Sequence, residues 1–89
     1  MIRRAVTIRN RLGLHARAAA KLVHLAGRFR SDIRVECGGE SVEAKSILGL
    51  LLLSAAPGTQ ITFACDGADE EEALDALAEL VDGRFGETE

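Results

Sequence analysis

Residues 13–23 read Gly13-Leu14-His15-Ala16-Arg17-Ala18-Ala19-Ala20-Lys21-Leu22-Val23. The stretch runs from a glycine, free to take backbone angles that other residues avoid, into an alanine-rich segment of high helix propensity. Ala19, Leu22, Val23 and Ala26 recur at spacings of three and four. That periodicity predicts a helix from Ala16 to about Ala26, ended near Gly27, with one buried face. His15 then stands at the mouth of the helix. The first N–H groups of a helix lack internal acceptors and, with the positive end of the helix dipole, attract anions. A histidine beside a phosphate-sized anion site is a candidate phosphoryl acceptor. The expected cradle is the backbone N–H of Ala16 and Arg17, with the Arg17 guanidinium adding charge-assisted bonds.

Working outward, Ala5-Val6-Thr7-Ile8-Arg9 alternates and predicts a strand, followed by a loop from Asn10 to Gly13. Ile33, Val35 and Cys37 alternate with Arg34 and Glu36 to give a second strand. Gly38-Gly39 turns it into a short third one, Ser41-Val42-Glu43. Ser46 before the apolar run Ile47 to Leu53 predicts a capped short helix. Ile61, Phe63 and Cys65 mark a fourth strand after the Pro57-Gly58 turn. Asp69 with Glu72 suits an acid-led cap for a last helix with Ala73, Leu74, Leu77, Leu80 and Val81 on its inner face. Gly83 stops that helix, and residues 86–89 are expected to fray. The order βαββαβα in 89 residues predicts a single domain over residues 1–89, an α+β open-faced sandwich with three helices on one face of a sheet. The hairpin makes the second and third strands neighbours; the other pairings stay open.

Composition narrows the function. Three Phe and no Trp or Tyr leave few platforms for stacking nucleic-acid bases. The longest apolar run, residues 47–56, is broken by Gly49 and Ser54 and is too short to span a bilayer. No segment combines a basic start, an apolar run and a cleavage site, so a cytoplasmic protein is expected. Cys37 and Cys65 lack Cys-x-x-Cys spacing; two free core thiols are expected, with no metal site or cofactor.

The net charge of −3 conceals an uneven split: residues 1–30 hold eight Lys/Arg and no acid, while residues 31–89 hold all 14 acids. Arg17, Lys21, His24 and Arg28 follow offsets of four, three and four, so they form one stripe on the first helix. A solvated face explains such a stripe; its proximity to His15 favours a docking face, for an acidic protein or a nucleic acid. In the Ile47–Leu53 run apolar residues occur on all sides. Some of Ile47, Leu48, Leu51 and Leu52 are therefore expected at the surface as a contact patch, the alternative being an unusually well buried helix.

Gly13-Leu14-His15-Ala16-Arg17 with the basic alanine-rich helix, and later Lys45-Ser46-Ile47-Leu48-Gly49, resembles the histidine-containing phosphocarrier family of the bacterial phosphotransferase system. The likeness spans nearly the whole chain, and that family's fold is the same βαββαβα sandwich with a four-stranded antiparallel sheet. The resemblance implies that His15 is phosphorylated at Nδ1 by enzyme I and hands the group to an A domain of a permease or regulatory protein. It implies that Arg17 steadies the phosphoryl group, that Ser46 is a regulatory site for a kinase and phosphorylase, and that Ile47 and Leu48 dock partners, with Leu51 beside them. A monomeric carrier rather than an enzyme is expected, with no nucleic acid or membrane among its partners. Ala18 departs from the proline usual after the arginine. With the Ala-Ala-Ala run and the Gly-x-Phe-Gly tail, it hints at a nitrogen-related or regulatory branch. A basic-faced binding module without phosphate chemistry is the alternative from another class.

Overall fold

The computed structural model describes residues 1–88. Among them, strand β1 (Ile2–Thr7) leads to helix α1 (Ala16–Ala26), the hairpin of β2 (Asp32–Cys37) and β3 (Glu40–Glu43), α2 (Ile47–Leu53), β4 (Gln60–Asp66) and α3 (Glu70–Asp82). A short 3-10 turn, Arg84–Gly86, follows. The sheet is antiparallel throughout in the order β1-β4-β2-β3. This is the βαββαβα sandwich expected, and the pairings left open are now fixed, with β4 in the centre.

The alternation of each strand sorts its residues between the two faces. Ile33 and Val35 of β2 and Ile61, Phe63 and Cys65 of β4 turn toward the helices and are buried. They meet Leu22 and Ala26 of α1, Leu50 of α2, and Leu74, Leu77 and Val81 of α3 in one aliphatic core. On the far face Arg3 pairs with Glu36 at 3.3 Å. β1 starts at Ile2, ahead of the Ala5 expected, because Ile2 and Arg3 pair with Cys65 and Ala64. Ile8, expected inside the strand, lies just past its end. It is still held: its N–H donates to the Thr59 carbonyl at 2.9 Å, and its carbonyl accepts from Gly58 at 2.8 Å.

Three further expectations are corrected. Asp69 precedes α3 but makes no side-chain cap there. Its carboxylate instead crosses to the segment after α1, accepting from the Arg30 and Ser31 N–H groups at 2.8 and 2.9 Å and from the Ser31 hydroxyl. Those bonds, the Ser31 hydroxyl foremost, lower its pKa from 3.8 to about 2. The turn into α3 is closed by Glu70, which accepts from Gly67 N–H at 3.1 Å. Cys37 is only half-buried, because it ends β2 at the hairpin; Cys65 is buried, both are free thiols, and burial raises the Cys65 pKa. Within the stretch expected to fray, residues 86–89, Glu87 is tied down by contacts to Asn10 and His15, whereas Glu89 lies outside the described residues. Phe85 is fully buried and Lys21 Nζ donates to its carbonyl. To seat that ring, Arg84, Phe85 and Gly86 all take left-handed backbone angles, φ +58, +54 and +78°. For the two non-glycine residues this costs on the order of 1 kcal/mol each.

Candidate functional site

His15 is the N-cap of α1, and two close approaches put it there. Gly13 has φ +67°, and a Cβ on it would lie 2.6 Å from the Ala55 carbonyl oxygen, so the loop admits glycine alone at this point. Leu14 N–H then donates to that same carbonyl at 2.9 Å, tying the mouth of α1 to the loop after α2. Asn10 is fully buried, and its Nδ2 donates to the Gly13 carbonyl at 2.7 Å, which closes the loop from inside.

The imidazole is held at both nitrogens. Nδ1 accepts from the backbone N–H of Arg17 at 3.3 Å. Nε2 lies 2.7 Å from a carboxylate oxygen of Glu87. The Glu87 pKa is lowered, first by the hydrogen bond to His15 and then by one from Asn10 Nδ2 at 3.3 Å, so the carboxylate is ionised and only accepts. A backbone N–H only donates. The two contacts together assign the proton to Nε2 and leave Nδ1 unprotonated, its lone pair turned toward the first turn of α1. The side chain remains one-quarter exposed. Beside it a cleft of about 230 Å³ is lined by Arg11, Leu12, Arg17, Glu87 and Thr88.

Of the two N–H groups expected from the sequence to hold a phosphate, that of Arg17 is occupied by the histidine's own ring. His15 N–H donates to the Gly13 carbonyl at 2.9 Å. Ala16 and Ala18 supply the other first-turn donors with no acceptor earlier in the helix. Proline at position 18 would remove one of them; Ala18 keeps it and is fully buried.

Arg17, Lys21 and His24 lie exposed along α1, and exposed Arg28 follows just past its end. With Ala20, Leu25 and Leu80 they line a groove of about 470 Å³ between α1 and α3. Lys21 also has a structural role, through its bond to the Phe85 carbonyl. Ser46 caps α2, its hydroxyl accepting from Gly49 N–H at 3.2 Å. Behind that cap Leu50 is buried, while Leu48 and Leu52 are 66% and 68% exposed and Ile47 and Leu51 are partly so. Of the two readings of the apolar run, the surface patch is the one realised, and α2 packs against α1.

Sequence reasoning missed Asn10 and Glu87. Glu87 is separated from His15 by 72 positions and sits in a polar, glycine-bearing tail. The available signal was Phe85, a large apolar residue between Arg84 and Gly86 that must be buried somewhere.

A ring nitrogen aimed into a helix N-terminus, on an open cleft of a βαββαβα sandwich, is the arrangement of a small phosphoryl carrier. The family model described as "PTS HPr component phosphorylation site" matches residues 2–82. The chain is 52% identical over 89 residues to the phosphocarrier protein HPr of Cupriavidus necator, covering all of both chains. It is 48% identical over 86 residues to the phosphocarrier protein NPr of Shewanella violacea, covering 97% of this chain and 94% of that one. Among solved structures it resembles an HPr from Thermoanaerobacter tengcongensis, with a TM-score of 0.96 and 42% identity over all of both chains. The chain belongs to the HPr family of phosphocarrier proteins of the phosphotransferase system. Among the described residues no helix is long and apolar enough to cross a membrane.

Proposed function

We propose that His15 is the phosphorylated residue, accepting the group on Nδ1 from phospho-enzyme I and passing it to an A domain of a permease or regulatory protein. The observation that carries this reading is the division of labour on the ring. Nε2 is taken by Glu87, and Nδ1 faces backbone donors suited to phosphate oxygens. Transfer of a phosphoryl group depends mainly on positioning and on neutralising its charge. The Arg17 guanidinium, on the cleft wall, supplies charge, and the Arg17 N–H passes from the ring to a phosphate oxygen once Nδ1 is bonded to phosphorus. The protein acts stoichiometrically, as a cytoplasmic monomer, returning to its starting form after each relay.

Arg17, His24 and Arg28, with the Lys21 stem, form the face for acidic partner surfaces, and Ile47, Leu48 and Leu51 the apolar part of the contact. Ser46 is the regulatory site, for a kinase and a phosphorylase where the cell has them, since a phosphate there adds charge next to that contact. Both sugar-permease and nitrogen-type A domains fall within this reading; offering labelled protein to one of each separates the branches.

The test is incubation with phosphoenolpyruvate and enzyme I, followed by a stability assay of any label. An acid-labile, base-stable phosphate is expected on the wild type and none on His15→Ala. Label of that kind on His15→Ala would overturn the assignment. No label on the wild type would favour a binding module that does no phosphate chemistry.

A further inference from the structure

We infer that Glu87 is a positioning residue for phosphoryl transfer, fixing the His15 tautomer and offsetting the charge that the ring acquires. This rests on the carrier reading above and assigns a role to a residue outside the helix mouth.

Three observations converge on Glu87. Its carboxylate is 2.7 Å from Nε2, and its side chain is only 16% exposed, so the contact is sheltered. Asn10, itself fully buried, reaches from the loop before α1 to the other carboxylate oxygen at 3.3 Å while its amide also holds the Gly13 carbonyl. The chain adopts three consecutive left-handed residues, buries Phe85 and recruits Lys21 to its carbonyl just before Glu87. Backbone strain held in place by packing is a mark of a functional constraint. A supporting carboxylate behind a reactive imidazole orients the ring and selects which nitrogen carries the proton.

The chemistry follows from the tautomer. The lone pair of Nδ1 attacks phosphorus, the donor's bond to phosphorus breaks, and its electron pair leaves with the donor. No proton needs to leave His15. The ring now carries a proton on Nε2 and phosphorus on Nδ1, so it is cationic, and the Glu87 carboxylate faces that charge. When the group moves on, the N–P electron pair returns to Nδ1 and the ring departs neutral. Keeping the proton on Nε2 is what makes the ring a good leaving group; a ring that lost it would hold the phosphate.

The test uses the full chain with Glu87→Ala and Glu87→Gln. The nitrogen chemical shifts of labelled His15 report the tautomer in the unphosphorylated protein, and rapid-quench assays report acceptance from phospho-enzyme I and donation to an A domain. Glu87→Ala is expected to populate both tautomers and slow both transfers by about tenfold, the lower end of what loss of the carboxylate behind a metal-bound histidine costs. Glu87→Gln, which keeps an acceptor but no charge, is expected to keep the tautomer and fall between. A tautomer ratio unchanged in Glu87→Ala, or wild-type transfer rates in Glu87→Gln, overturns the inference. The Gln variant decides alone if the Ala variant does not fold. A wild-type protein that accepts no phosphate would count against the carrier reading, while an unchanged tautomer ratio would still count against Glu87.

Discussion

Single side chains in this molecule do two things at once. Ser46 holds the start of α2 through Gly49 N–H and sits next to exposed Ile47 and Leu48. An aspartate caps a helix as well as a serine does, and an acid is favourable at a helix N-terminus. Ser46→Asp is therefore expected to melt at the wild-type temperature and to accept phosphate from enzyme I several-fold to about tenfold more slowly, because a charge at the edge of an interface acts on association. Equal acceptance rates in a stopped assay would remove the switch. His15 likewise caps α1 and turns its Nδ1 toward the first turn, a placement at the helix mouth that was legible from Gly13, the helix periodicity and the dipole argument alone. Glu87 was not, because nothing local relates it to His15. Only the burial of Phe85 across the sandwich brings the two together.

At the scale of elements, sequence patterning located every strand and helix, since apolar periods of two and about three and a half are direct consequences of burying one face. It erred where a side chain had a choice between near and distant partners. Asp69 could cap α3 locally, yet it bonds to Arg30 and Ser31 after α1, joining the two helices that flank the groove. Its folded pKa of about 2 lies below the ordinary 3.8, so it contributes stability that is complete above about pH 4 and is lost as pH falls toward 2. Asp69→Asn is expected to be less stable at neutral pH and to show a flatter acid limb over that window, as measured by urea unfolding at a series of pH values. An unchanged acid limb would mean that the bonds across to Ser31 contribute nothing.

Across the whole molecule, the division of charge along the sequence is partly closed by folding. Arg4 meets Asp75 at 2.9 Å and Arg9 meets Asp82 at 3.7 Å, so basic residues at or just after β1 face the acidic α3. Arg17, His24 and Arg28 make no ion pair within 4 Å among the described residues, so the stripe keeps its positive charge facing outward. Phe85 couples the core to the site. Phe85→Ala is expected to lose about 3–5 kcal/mol in denaturant unfolding, the usual range for emptying a buried phenyl site. It should also mix the His15 tautomers, because Glu87 loses its anchor. Leu77→Ala, fully buried in α3 but outside the turn that carries Glu87, should lose stability without changing the ring.

The central place of β4 has a further outcome in the cell. As the ribosome releases the chain, β1 emerges with no neighbour, since Ile2 must wait for Cys65. Pairings so distant along the chain form slowly. The nascent protein can make its hairpin early, but the imidazole acquires its carboxylate only after residue 87 has been translated. A truncated product of stalled synthesis would thus carry the His15 ring without the carboxylate that meets its Nε2.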